Sequence, residues 1–110
     1  MPKSSSTSRQ TRGAPRFTFI ATAHVLEPVS EVRLSGRISE ISAKGCYVDV
    51  LNALPVGTEV GVRITRDKGT FAASARVIYV QEGMGMGLLF TGMQADQAKV
   101  LESWLAELGT

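Results

Sequence analysis

Glu59-Val-Gly-Val-Arg-Ile-Thr65, Arg66-Asp-Lys-Gly69 and Phe71-Ala-Ala-Ser-Ala-Arg-Val-Ile-Tyr-Val80 form the stretch on which the fold turns. Val60, Val62 and Ile64 alternate with Glu59, Gly61 and Arg63. Phe71, Ala73, Ala75, Val77 and Tyr79 then take one side of a second run. A period of two places alternate side chains on opposite faces of a strand. The charged tip ending in Gly69 joins the two runs as a hairpin.

Working upstream, Cys46–Leu51 reads as a strand, and 52–57, with Pro55 and Gly57, returns the chain. Leu34–Ile41 reads as another strand, with an irregularity expected near its end, where the alternation falters at Glu40 and Ile41. Ser42-Ala-Lys-Gly45 is a turn, and Gly45 is the expected site of a positive φ. Phe17–Val25 is rich in strand formers and partly alternates, and Leu26–Val32 reads as a loop. Downstream, Gln81–Met84 turns and Gly85–Phe90 makes a sixth strand. Short strands at this spacing predict an all-β fold, a six-stranded antiparallel β-barrel that leaves few open edges.

The end of the chain changes period. Thr91 and Gln94 stand in the capping-box relation ahead of Ala98, Leu101, Trp104, Leu105 and Leu108. These five share one helical stripe and Gly109 marks its end, so a C-terminal α-helix is predicted. Trp104 is read as a core or barrel-capping aromatic.

The chain has 110 residues, the length of one domain. Its charge is uneven. Lys3, Arg9, Arg12 and Arg16 put four positive charges and no negative one into residues 1–16, leaving eight basic against ten acidic side chains beyond. A cationic leader on a slightly acidic body suits a compact anion better than a long duplex. Cys46 is the only cysteine, so no disulfide can form within the chain. With no apolar run of membrane-spanning length and a polar start, a cytoplasmic protein without membrane insertion is expected.

Enzyme chemistry finds little support. His24 is the only histidine, and no cysteine motif completes a metal site, so a structural or surface role is expected. Cys46 adjoins a strand start, where small buried cysteines are common. Gly83-Met-Gly-Met-Gly87 lacks the strand–turn–helix setting of a nucleotide fingerprint and reads as a barrel turn. No catalytic residue, metal or cofactor is expected.

Two clusters remain. Residues 1–8 read as a disordered polar tail, followed at 9–16 by Arg9-Gln-Thr-Arg12-Gly-Ala-Pro-Arg16. Gly13 frees the backbone there, while Pro15 fixes its own φ and disfavours helix at Ala14. The segment is thus a bent or extended tether whose guanidinium groups fit phosphate oxygens or the acceptor edge of guanine. The second cluster, Glu40-Ile-Ser42-Ala-Lys-Gly45, offers a carboxylate, a hydroxyl and a glycine that admits close backbone approach. Taken alone, each has a plain reading, as a basic arm and as a hairpin turn.

An Arg-x-x-x-Arg pair before a first strand, then acid-x-Ser-x-x-Gly between the second and third strands of a six-stranded barrel closed by a helix, resembles the PilZ domain family. Gly36-Arg-Ile, Leu54-Pro-Val-Gly57 and Gly85-Met-Gly-Leu-Leu-Phe90 add to the likeness, which runs from about Arg9 to Leu108 and implies one such domain over residues 9–110. The resemblance implies a non-catalytic receptor for the bacterial second messenger cyclic di-GMP. By it, Arg12 and Arg16 hold phosphates and guanine faces, Ser42 and Gly45 line the barrel surface beneath, Glu40 meets a guanine edge, and Arg9 adds a contact. It also implies a downstream protein partner that the ligand-ordered tether would help to bind. In the family pattern Asp or Asn stands where this chain has Glu40, one methylene longer. Two alternatives follow: a PilZ-like interaction module that does not bind cyclic di-GMP, and, less favoured, a barrel binding single-stranded nucleic acid through its basic leader.

Overall fold

The computed structural model describes residues 17–67 and 69–109, so expectations for residues 1–16, including Arg9, Arg12 and Arg16, lie outside the described residues. Six strands precede one helix: β1 (Phe17–Glu27), β2 (Val32–Ile41), β3 (Gly45–Asp49), β4 (Glu59–Arg66), β5 (Gly69–Gln81), β6 (Gly85–Gly92) and α1 (Ala95–Leu108). All pairings are antiparallel, and the strands close into a barrel in the ring order β1-β2-β3-β6-β5-β4.

The two-residue period fills the lumen. Val60, Val62 and Ile64 of β4 face Phe71, Ala75 and Val77 of β5 in the buried core. Ala23 and Val25 join from β1 and Met86 and Leu88 from β6. The expected irregularity in β2 is present as a register shift between Ile38 and Glu40. It turns Ile38 and Ile41 both inward, where each is fully buried. A bulge re-aims the residues it spans, and this one sets Ser39 and Glu40 on the outer wall.

Three expectations are corrected. A second register shift, between Val77 and Tyr79, takes Tyr79 out of the inward series and leaves it 41% exposed. β1 and β2 run further than predicted, so the loop between them shrinks to 28–31, with Glu31 at φ 63. The capping box is not formed. Thr91 and Gly92 continue β6, and α1 begins after an extended Gln94 that makes no side-chain cap hydrogen bond.

Helix α1 plugs one barrel mouth through the predicted stripe. Leu101 and Trp104 are buried, with Leu105 and Leu108 packed against the core. The Trp104 ring lies 5.5 Å from Phe19 and 6.2 Å from Phe71 between centroids. Arg66 pairs with Glu107 at 2.8 Å and sits 5.1 Å above the Phe19 ring, tying the β4 end to the helix.

The 28–31 turn is held by one carboxylate. Glu27 accepts from the Val29 N–H at 2.9 Å, the Ser30 N–H at 2.8 Å and the Ser30 hydroxyl. These bonds, led by the Ser30 side chain, favour the ionised form and lower its pKa from the ordinary 4.5. A depressed carboxyl pKa stabilises above the ordinary value and is lost as pH falls through the folded one. NMR titration of the Glu27 carboxyl should therefore give a midpoint below 4.5, with the Val29 and Ser30 amide shifts moving together with it. An ordinary midpoint would mean that the turn does not depend on this group.

Candidate functional site

The polar cluster lies on the outer wall where β2 turns into β3. Ser42 is the buried polar residue among the described residues, and its hydroxyl is used inside the turn. Its Oγ accepts from the Lys44 N–H at 3.1 Å and the Gly45 N–H at 3.3 Å, while its own N–H donates to the Gly45 carbonyl at 2.9 Å. Ser42 is thus chiefly a staple that fixes the turn.

Gly45 corrects the expectation of a positive φ, which among the described residues occurs at Gly57 and Gly83 and at Glu31 and Asp67. It is needed for proximity instead. A Cβ there would stand 2.1 Å from the Leu88 carbonyl oxygen, because β6 crosses directly against β3. The Lys44 carbonyl accepts from the Phe90 N–H at 2.8 Å, stitching the turn to the same strand. Gly45→Ala is expected to force β3 and β6 apart and cost about 1–3 kcal/mol, the range for overpacking a close contact. Urea unfolding checks it, and a shift below about 0.5 kcal/mol would mean that the strands separate without penalty.

Glu40 stands beside this turn, opposite Tyr47 in the β2–β3 ladder. Tyr47 and Tyr79, which sequence reasoning did not place at the site, stack with centroids 5.9 Å apart and an interplanar angle of 28°. Glycines make room for them. A Cβ at Gly85 would meet the Tyr47 ring at 2.7 Å, and one at Gly87 the Tyr79 ring at 2.2 Å. Gly85 and Gly87 thus strip the outer face of β6 so that aromatic rings can lie across it, while Met86 fills the lumen. This spacing was the available signal. Tyr47 also donates its hydroxyl to Gln81 Oε1. Its phenol is held above its ordinary pKa, first by desolvation and then by Tyr79, Asp49 and Glu40, so it remains a neutral donor.

Together Glu40, Ser42, Lys44, Gly45, Tyr47, Ile78 and Tyr79 border an open cleft of ≈ 130 Å³. Phe17, the first described residue, pairs with Ile41, so β1 begins beside this cleft. The structure therefore brings together Glu40, Ser42 and Gly45 and adds the two tyrosines. Cys46 points into the lumen, where burial pushes its thiol up to about 12 and leaves no thiolate near neutral pH. Among the described residues no cluster of His, Cys, Asp and Glu could hold a metal ion.

A closed antiparallel cylinder plugged by one helix, with a polar cluster on its outer wall, defines a small helix-capped β-barrel. The PilZ domain model matches residues 10–107, and the chain belongs to the PilZ domain family. Members are typically non-catalytic binding modules and receptors for cyclic di-GMP. Solved structures agree on the fold. The PilZ domain of CeSA from a cellulose-synthesizing bacterium shares 19% identity at a TM-score of 0.68, over 87% of this chain and 99% of that one. The PilZ domain of YcgR from Escherichia coli, solved with c-di-GMP, shares 15% at a TM-score of 0.75, over 91% of this chain and 92% of that one. The Bacillus subtilis inhibitor of motility MotI/DgrA shares 16% at a TM-score of 0.73, over 89% of this chain and 51% of that one. No curated protein sequence matches the chain. No described helix is long and apolar enough to cross a membrane.

Proposed function

We propose that this chain is a cytoplasmic, non-catalytic receptor for cyclic di-GMP. The observation that supports the reading is the pairing of Phe17 with Ile41, which starts β1 at the edge of the Glu40–Ser42–Gly45 cleft, directly after the arginine segment in sequence. A trans peptide step spans about 3.8 Å, and Arg16 is one step and Arg12 five steps from Phe17 in sequence, within reach of the cleft. Arg12 and Arg16, with Arg9 adding a contact, take the phosphates and the O6/N7 acceptors of the guanines. Glu40 accepts from a guanine N1–H and N2–H₂ edge, and the Ser42–Gly45 turn supplies the floor. Binding draws the arginine segment onto the barrel and creates a surface that a downstream protein reads.

Isothermal titration with cyclic di-GMP tests this directly, and saturable heat is the expected result. A flat titration would favour the alternative of an interaction module without the ligand, for which the extra methylene of Glu40 is the specific ground. Ser42→Ala should weaken binding less than loss of an arginine, because its hydroxyl works through the turn. The expected stability cost is about 1 kcal/mol, read by urea unfolding. A larger loss of affinity than Arg16→Ala produces would make Ser42 a direct ligand contact.

A further inference from the structure

The wall opposite the cleft carries a larger concavity. In the ring order, the seam between β1 and β4 lies across the barrel from the seam between β3 and β6, where the cleft sits. An open trough of ≈ 900 Å³ crosses that far wall and reaches the start of α1 at Gln94 and Gln97. Strand register builds it from two rows, Arg33–Leu26–Gly61–Ser74–Gly92 and Ser35–His24–Arg63–Ala72. The first row touches five strands, about 19 Å measured along the curved wall at the usual inter-strand spacing and centred on the β1–β4 side. Gly61 and Gly92 keep its floor low, since a Cβ on either would meet nothing within 4 Å.

Among the described residues its lining contains Arg33, Arg63 and His24 and no carboxylate. The ion pairs among the described residues are Arg66–Glu107 and Arg76–Glu59, so neither lining arginine is neutralised by one. His24 is held to Ser35 Oγ by Nδ1 at 3.1 Å. Leu26, 38% exposed, lies between the two arginines with Met93 at the far end, giving the trough apolar anchor points.

We propose that this trough docks an acidic segment of a partner protein, its carboxylates on Arg33 and Arg63 and an apolar side chain laid over Leu26 and Gly61. Charge complementarity selects the partner. A trough this open and long leaves a small molecule mostly in water, whereas small-ligand pockets enclose most of their occupant. No Phe, Tyr or Trp lines it among the described residues, which disfavours the stacking that single-stranded nucleic acid relies on. The proposal does not depend on cyclic di-GMP binding.

The test is selection of random twelve-residue peptides displayed on phage against the full chain, followed by fluorescence anisotropy of the best binder. Enriched peptides should combine Asp or Glu with apolar residues. Arg33→Glu and Arg63→Glu should each weaken the binder about tenfold or more, and high salt should weaken it on the wild type. Gly61→Phe, which fills open space, should block it. All three variants should keep the wild-type circular dichroism and cyclic di-GMP titration, and Arg63→Gln replaces any that misfolds. Failure to enrich acidic peptides, or a binder indifferent to Arg63→Glu and Gly61→Phe, overturns the proposal. So does a twelve-residue oligothymidylate that binds the trough more tightly than the peptide. A flat cyclic di-GMP titration alongside an intact peptide result would remove only the ligand reading.

Discussion

Trp104→Ala is expected to cost about 3–5 kcal/mol of unfolding free energy, the range for truncating a buried large aromatic. The ring is 7% exposed and bridges the helix to Phe19 and Phe71 at one barrel mouth. Without it, that end of the lumen gains a cavity, and α1 loses its principal contact with the barrel. Small domains hold only about 5–15 kcal/mol in total, so the variant should sit near its folding threshold. Urea unfolding followed by far-UV circular dichroism is the measurement, because the chain's only tryptophan is the residue removed. A loss under about 1 kcal/mol would mean that the helix does not seal the barrel, and the packing derived for α1 would be wrong.

Arg12→Ala or Arg16→Ala should weaken cyclic di-GMP binding about ten- to a hundred-fold or more. A charge-assisted hydrogen bond contributes about 1.5–3 kcal/mol, and each 1.4 kcal/mol is a factor of ten. The buried core is built from residues of the strands and α1, so the barrel is expected to keep its stability while affinity falls. Calorimetry on wild type and Arg16→Ala separates the outcomes. Equal affinities would remove the arginine segment from the site and leave the cleft to act alone.

Much of this was legible from residues 17–109, and the reason is geometric. A closed barrel imposes one inside and one outside on every strand, so alternation in Val60–Val62–Ile64 translated directly into lumen positions. Hidden instead were features set by neighbouring strands. Tyr79 continues the period of two, yet the bulge beside it, visible only in the β5–β6 register, turns it outward. Gly45 looked like a conformational glycine because it ends a turn, whereas the Leu88 carbonyl packed against it is forty-three positions away in sequence. Thr91 and Gln94 satisfied the local rule for a helix start, but pairing of Ser74 with Gly92 carries β6 through that point. At the site, Glu40, Ser42 and Gly45 were readable as a motif, while the tyrosine pair arises from β3 and β5 meeting across bare glycines of β6.

Closure of the cylinder bears on how anything else can recognise it. Proteins often annex a neighbour by extending its sheet, which requires a strand with unspent amides. Here each strand has a neighbour on both sides, and where β6 runs out beside β5 the Ala72 amide is taken by Gln97 Oε1 at 2.7 Å. Backbone extension is therefore closed to a visitor wherever ladders run on both sides, as along Arg37–Ile41 of β2 between β1 and β3, and there it must read this molecule through its side chains.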